Sequence, residues 1–250
     1  MMKNLRAELQ KAHRRHDLAV CLLAPVAVLL WAGYAAPGGT KSTVDGYHAL
    51  LYTLPIMNTV LMPVAMSMLA SRLWDIETKG NCPKLLYTLQ NRRSLFSAKA
   101  CFGASEALAV VLFELAGILL LGQWHHYSDT PPVAQLLYLF CCTYAVNLML
   151  FFSELLLTIL LANPLPALCT GIAGALVGLF SAFMPPIVSY FVPWGYYIPL
   201  GSYMMESWDP DTRVVVYGIQ DFNLPLLAWT IFLAVLFFTI TWRAIRQKEV

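Results

Sequence analysis

Six apolar stretches, each long enough to cross a membrane, dominate the 250-residue sequence. A hydrocarbon core about 30 Å thick takes roughly 20 residues of α-helix. Because lipid offers no hydrogen-bond partner to an open backbone, each stretch is predicted to be a transmembrane helix. The chain is therefore predicted to be an all-α integral membrane protein with one transmembrane domain over residues 1–250. The six spans cover residues 17–36, 50–72, 100–122, 133–161, 165–191 and 225–243.

The Lys and Arg residues are distributed unevenly between the two sides of the membrane. With a cytoplasmic N-terminus, fourteen of the sixteen lie on the cytoplasmic side, and Lys41 and Arg213 lie outside. An excess of Lys and Arg in cytoplasmic loops is the usual determinant of orientation. Both termini are therefore predicted to be cytoplasmic. The same topology explains the net charge of +2, so the charge is no evidence for nucleic-acid binding.

Two segments outside the spans have amphipathic character. Residues 3–16 place apolar side chains on one helical face and basic ones around the rest, which favours an elbow helix on the cytoplasmic headgroups over a merely solvated basic tail. The proline- and aromatic-rich segment between spans 5 and 6 is typical of short helices at outer headgroup depth. Its predicted extracellular interfacial residues are Trp194, Tyr196, Tyr197, Glu206, Asp209 and Asp211.

The fifth span carries small residues at helical spacing. Gly171, Gly174 and Gly178 lie along one side of the predicted helix. Such a face lets helix backbones approach closely and is typical of a packing surface. The partner of this face is either an element of this chain or a second subunit, and the sequence leaves both open.

Several polar residues lie inside the predicted spans. An acidic side chain at the centre of a membrane costs about 2.5–3.5 kcal/mol, so each should face the protein interior. With no Lys or Arg in the predicted spans except Arg72 and Arg243 at their cytoplasmic ends, a neutral or hydrogen-bonded state is the simplest account of the acids. The sequence leaves two roles open for these side chains, structural hydrogen bonding or a place in a substrate path or gate. The residues are Asn58, Glu106, Glu114, Asn147 and Glu154.

The loop between spans 2 and 3 is the most basic part of the chain, with six of the sixteen Lys and Arg in residues 71–99. Gly80 and Asn81 interrupt the preceding helix, and Asn81 is a suitable cap for a new one. The predicted helix presents leucines on one side and is too short to be stable alone. It therefore lies on the membrane or docks into another protein.

This loop resembles the corresponding part of ABC-2 type transporter permeases, in which an acidic, Gly- and Lys-containing segment after the second span leads into a coupling helix. The six-span plan, the elbow and the aromatic segment fit the same family along nearly the whole chain. The resemblance implies that these residues couple the permease to an ATPase: Glu77, Lys79, Gly80, Asn81, Lys84, Leu85, Leu86, Leu89, Arg92 and Arg93.

Within this family the sequence looks most like the lantibiotic immunity permeases, through "RLWDIETKGNCPKLLYTLQNRRSLFSAK", "NPLPALCTGIAGALVG" and "VPWGYYIPL". The resemblance implies ABC ATPase partner subunits that bind ATP and Mg²⁺, a second, non-identical permease, and export of a cationic peptide from a bacterial membrane to the outside. Export of another drug, lipid or glycan is the alternative, and a membrane assembly protein without transport activity is the third reading.

The motifs of other chemistry are missing or incomplete. The sequence contains no G-x-x-x-x-G-K-[ST] phosphate loop, so ATP hydrolysis is expected from a separate polypeptide. His125, His126 and Asp129 are the best candidates for a metal site, but adjacent histidines do not share a helix face, and no H-E-x-x-H occurs. We therefore predict no catalytic residue, no metal and no cofactor bound by this chain.

Overall fold

The computed structural model describes residue 10 and residues 16–35, 46–79, 92–127, 129–161, 163–208 and 215–247. In these residues, six helices are long and apolar enough to cross a membrane, as predicted. They are α1 Asp17–Ala35, α2 Gly46–Lys79, α3 Arg92–Trp124, α4 Val133–Leu161, α5 Pro164–Ser181 and α6 Leu224–Gln247. Between α5 and α6 lie a helical turn at Pro186–Ser189, a 3₁₀ turn at Pro193–Gly195 and strands β1 Tyr203–Trp208 and β2 Val215–Ile219.

Helices α2 and α4 form the centre of the bundle. In their membrane-spanning parts 61 % of the residues are buried, against 22 % for α6. Helix α2 packs against α1, α3, α4 and α5, while α6 packs mainly against α4. The remaining apolar surface of α6 lies on the outside of the bundle, where lipid or another subunit covers it.

The fifth span is shorter than predicted. Helix α5 ends at Ser181, ten residues before the expected end at 191. Pro185 and Pro186 lie just beyond the end of the helix, and a proline has no N–H to continue the helical hydrogen bonds. The composition stays apolar past Ser181, in residues such as Phe183 and Phe191 that are exposed on the surface of the bundle, so hydropathy alone did not reveal the end of the helix.

Residues 193–202, here called the re-entrant segment, run back along α5. A Cβ atom on Gly174 would lie 2.4 Å from the indole ring of Trp194, and one on Gly178 would lie 2.9 Å from the backbone of Trp194 and Gly195. Only glycine leaves room for such contacts. The partner of the glycine face is therefore an element of this chain.

A two-stranded antiparallel hairpin follows the re-entrant segment, where sequence analysis predicted short helices. It pairs Tyr203 with Ile219 and Trp208 with Val215. The Tyr203 ring stacks on His48 of α2 at a centroid distance of 4.7 Å. β-Branched and aromatic residues such as Val215, Val216 and Tyr217 favour strands, and this preference was masked by the proline-rich sequence before them.

Two predicted elements lie outside the described residues. They are the elbow helix, of which residues 10 and 16 alone are described, and the coupling helix in residues 80–91. Helix α2 extends to Lys79 and α3 begins at Arg92, so the two helices bracket the predicted coupling helix. Glu77, Lys79, Arg92 and Arg93 are thus in helical backbone at the two ends of this segment.

Candidate functional site

A buried hydrogen bond joins α2 to α3 inside the membrane-spanning region. The side-chain Nδ2 of Asn58 donates to Oε1 of Glu114 over 2.7 Å. Both side chains are buried, with relative exposures of 0 % and 2 %. The described residues place no Lys, Arg or His side chain against this carboxyl group. Two of the predicted intramembrane residues are therefore partners of each other.

A second buried hydrogen bond links the re-entrant segment to α4. The hydroxyl of Tyr197 donates to Oδ1 of Asn147 over 2.6 Å. Asn147 lies halfway along α4, 14 residues from either end of the helix. The re-entrant segment therefore reaches the middle of the bundle. Tyr197 is also within electrostatic range of Glu114, so we treat the two hydrogen bonds as one group.

We call Asn58, Glu114, Asn147 and Tyr197 the central polar cluster. Three of its buried atoms have no hydrogen-bond partner among the described residues: Asn58 Oδ1, Glu114 Oε2 and Asn147 Nδ2. Buried polar atoms are nearly always paired, so an unpaired group points to a proton, water or ligand that joins it. The cluster is the strongest candidate site in the described part of the chain.

Sequence analysis identified three members of this cluster but missed Tyr197. It assigned Tyr196, Tyr197 and Trp194 to the lipid headgroup region, whereas the structure places Tyr196 and Tyr197 inside the protein at 1 % and 4 % exposure. A tyrosine-rich sequence does not distinguish these two locations, because tyrosine is common both inside proteins and at the membrane interface. The glycines of α5, which make room for the segment, were the available clue.

Glu154 lies at a separate contact between α4 and α5. The Thr170 hydroxyl donates to its Oε2 atom over 2.6 Å. The indole of Trp194 is another polar neighbour of this carboxyl group, and its Nε1 atom is buried without a hydrogen-bond partner in the described chain. Glu106 is also buried, eight residues before Glu114 and thus about 12 Å away along α3. Glu154 is therefore held by α5 and lies apart from the hydrogen bonds of the central polar cluster.

Two polar contacts tie the helix ends on the predicted cytoplasmic side. Arg72 of α2 forms a salt bridge of 2.8 Å with Asp17 at the start of α1. The ammonium group of Lys99 in α3 donates to the backbone oxygen of Leu73 in α2 over 2.9 Å. Lys99 is fully buried within a candidate membrane span, so the expectation that no span contains Lys is wrong. Its long side chain reaches a carbonyl that compensates the burial of the charge.

On the predicted outer side, Asp129 accepts a hydrogen bond of 2.9 Å from the backbone N–H of Tyr47 at the start of α2. Burial and, to a smaller degree, the Asp129 carboxylate raise the pKa of Tyr203, so its hydroxyl stays neutral at physiological pH. Glu206 on β1 is exposed. Asp209 and Asp211 lie outside the described residues.

The six membrane-spanning helices agree with the family to which the sequence is related. A family model described as "ABC-2 family transporter protein" matches residues 4–192, well over half of the chain. The chain therefore belongs to the ABC-2 transporter family and is the membrane-embedded permease type of subunit, a class that works with an ABC ATPase. Comparison with curated proteins and with solved structures gave no significant match.

Replacing Tyr197 with Phe should destabilise the bundle, because Asn147 then loses its only described side-chain partner. We expect a loss of about 1 kcal/mol in the free energy of unfolding, within the range measured for hydrogen bonds between membrane helices. The measurement is reversible unfolding of the purified protein in detergent.

Tyr34→Phe is the matched control, since Tyr34 is 87 % exposed at the end of α1. A double-mutant cycle with Asn147→Leu isolates the hydrogen bond from the change in packing. Equal stabilities for Tyr197→Phe and Tyr34→Phe, with no coupling in the cycle, would contradict this assignment.

Proposed function

We propose that the chain is a permease subunit of an ABC exporter that moves a lantibiotic or similar cationic antimicrobial peptide from the membrane to the outside and so protects the producing or resistant cell. The family match over residues 4–192 carries the exporter part of this proposal. The peptide substrate is supported by the surface chemistry of the hairpin and by the resemblance to immunity permeases.

The energy for export comes from a separate ATPase that binds ATP and Mg²⁺. The sequence contains no phosphate-binding loop of the Walker type. A second, non-identical permease completes the membrane part of the transporter in this proposal. Both termini and the coupling helix lie in the cytoplasm, in agreement with the distribution of Lys and Arg.

The contacts at the helix ends support a mechanical role for the loop between α2 and α3. The Lys99–Leu73 hydrogen bond joins these two helices close to where the loop leaves and re-enters the membrane. The Arg72–Asp17 salt bridge then connects α2 to the start of α1. A force applied by the ATPase to the coupling helix would therefore move α1, α2 and α3 together.

The hairpin offers a surface that suits an amphipathic cation. Its strands expose apolar side chains next to the acid Glu206, and two further acids, Asp209 and Asp211, belong to its turn in the sequence. A cationic peptide held in the outer leaflet presents the complementary combination of apolar and basic groups. The exposed apolar residues of the hairpin are Met204, Met205, Val216 and Ile219.

The whole predicted outer side has six acidic and two basic residues, a net charge of −4. Part of this imbalance follows from topology, because Lys and Arg are depleted outside while acids are unconstrained. Glu206 therefore supports peptide binding by its position beside exposed apolar residues, more than the number of outer acids does.

Replacing Leu85 and Leu86 with Asp should abolish association with the ATPase while leaving membrane insertion intact, because the apolar side of the coupling helix is the proposed docking surface. The measurement is copurification of the ATPase with the tagged permease. Gln90→Asp with Asn91→Asp adds the same charge to the same loop and should preserve association. Normal copurification of the Leu85/Leu86 variant would exclude this helix as the docking element.

Neutralising Glu206, Asp209 and Asp211 together, as Gln, Asn and Asn, should weaken protection against a cationic lantibiotic by about tenfold at low salt. The effect should shrink as salt shortens the Debye length from about 30 Å at 0.01 M to about 10 Å at 0.1 M. The measurement is survival of cells that express the variants at equal levels in both media.

Asp45→Asn with Asp221→Asn removes predicted outer-side acids that lie outside the hairpin turn in the sequence and should have a smaller effect. Equal protection by the triple variant and the unchanged protein at both ionic strengths would show that the hairpin acids are solvated residues without a role in peptide capture.

A further inference from the structure

Two unpaired oxygen atoms lie on the two partners of a single hydrogen bond. Asn58 Nδ2 donates to Glu114 Oε1, while Asn58 Oδ1 and Glu114 Oε2 have no hydrogen-bond partner among the described residues. An amide nitrogen carries two hydrogens, and a bond through the one that lies cis to Oδ1 brings Oδ1 and the second carboxyl oxygen to the same side. If the carboxyl were ionised, these two oxygens would both be acceptors without a hydrogen between them.

A proton on Glu114 Oε2 removes this conflict. The resulting O–H group can donate to Asn58 Oδ1, so the amide and the acid form a closed pair of two hydrogen bonds. One proton then satisfies both unpaired oxygens, whereas a carboxylate would leave a buried charge that membranes and protein interiors disfavour strongly.

The surroundings of Glu114 supply no counter-charge. The titratable side chain that interacts with it is Tyr197 of the re-entrant segment, which is neutral. On α2 its partner is the amide of Asn58, and the polar residue of α4 in the cluster is the amide of Asn147. No titratable group of α1 or α6 interacts with Glu114 in the described residues.

We propose that Glu114 is a buried proton-binding site that holds one proton between its Oε2 atom and Oδ1 of Asn58, and that this proton locks α2 to α3 beside the re-entrant segment. Loss of the proton breaks one of the two hydrogen bonds and leaves a carboxylate that needs new donors. Asn147, which is bonded to Tyr197, has a buried Nδ2 atom without a hydrogen-bond partner in the described chain and is a donor of this kind in the cluster. Protonation of Glu114 is thus coupled to the contact between α2, α3 and the re-entrant segment.

Infrared spectroscopy of the full chain in lipid nanodiscs at neutral pH tests the proton directly. The spectrum of the unchanged protein minus that of Glu114→Gln should show the carbonyl band of a protonated carboxylic acid. A glutamine side chain reproduces both hydrogen bonds of the acid, so the variant should fold with an unchanged melting temperature. A carboxylate band in the difference spectrum would overturn the proposal, since water or a cation would then join the two oxygens.

Asn58→Leu supplies a second, independent test. Without its amide partner the acid loses both hydrogen bonds, so the carbonyl band assigned to Glu114 should move to higher frequency. A band that stays in place would show that the proton is not shared with Asn58. Glu154→Gln is the matched control, because Glu154 is equally buried but bonded to Thr170 instead. Loss of the band in this control and its retention in Glu114→Gln would also overturn the proposal.

Discussion

The membrane interior contains no water to satisfy polar groups, and the arrangement of this bundle follows from that constraint. The backbone meets it by forming helices, and the buried polar side chains meet it by pairing across elements. Asn58 pairs with Glu114, Tyr197 with Asn147, and Thr170 with Glu154. Each pair joins a different set of elements. The first bond fixes α2 against α3, and the other two fix the re-entrant segment and α5 against α4.

The re-entrant segment connects the central polar cluster to the hairpin on the predicted outer side. Its position depends on Gly174 and Gly178, which leave space for Trp194 and Gly195. From there the chain continues through Tyr197 in the central polar cluster to the hairpin on the predicted outer side. A change in the packing of α2 and α3, driven from the cytoplasmic loop, would therefore reach the proposed peptide surface through continuous contacts.

Hydropathy predicted the number of spans and their type, because a membrane imposes a length and an apolar composition that can be read locally. The fourth span was predicted at 133–161 and observed as Val133–Leu161. The fifth span was predicted too long, since the chain stays apolar beyond Ser181 although the helix ends there. Several of these apolar residues, such as Phe183 and Phe191, are exposed on the surface of the bundle. Lys99 was assigned to the cytoplasmic loop and Tyr197 to the headgroup region, whereas both side chains are buried in the bundle. Their partners, Leu73 and Asn147, lie in other elements, so no local pattern reveals them.

The proposal of ATP-driven peptide export is tested most directly by ATP hydrolysis in the complete transporter. The permease would be purified with its ATPase and second permease, reconstituted in lipid vesicles, and exposed to a cationic lantibiotic. We expect the lantibiotic to raise the rate of ATP hydrolysis several-fold and an uncharged, membrane-active peptide to leave the rate unchanged. A hydrolysis rate that is unchanged by the lantibiotic, in a complex that responds to a lipid or glycan instead, would contradict the proposed substrate.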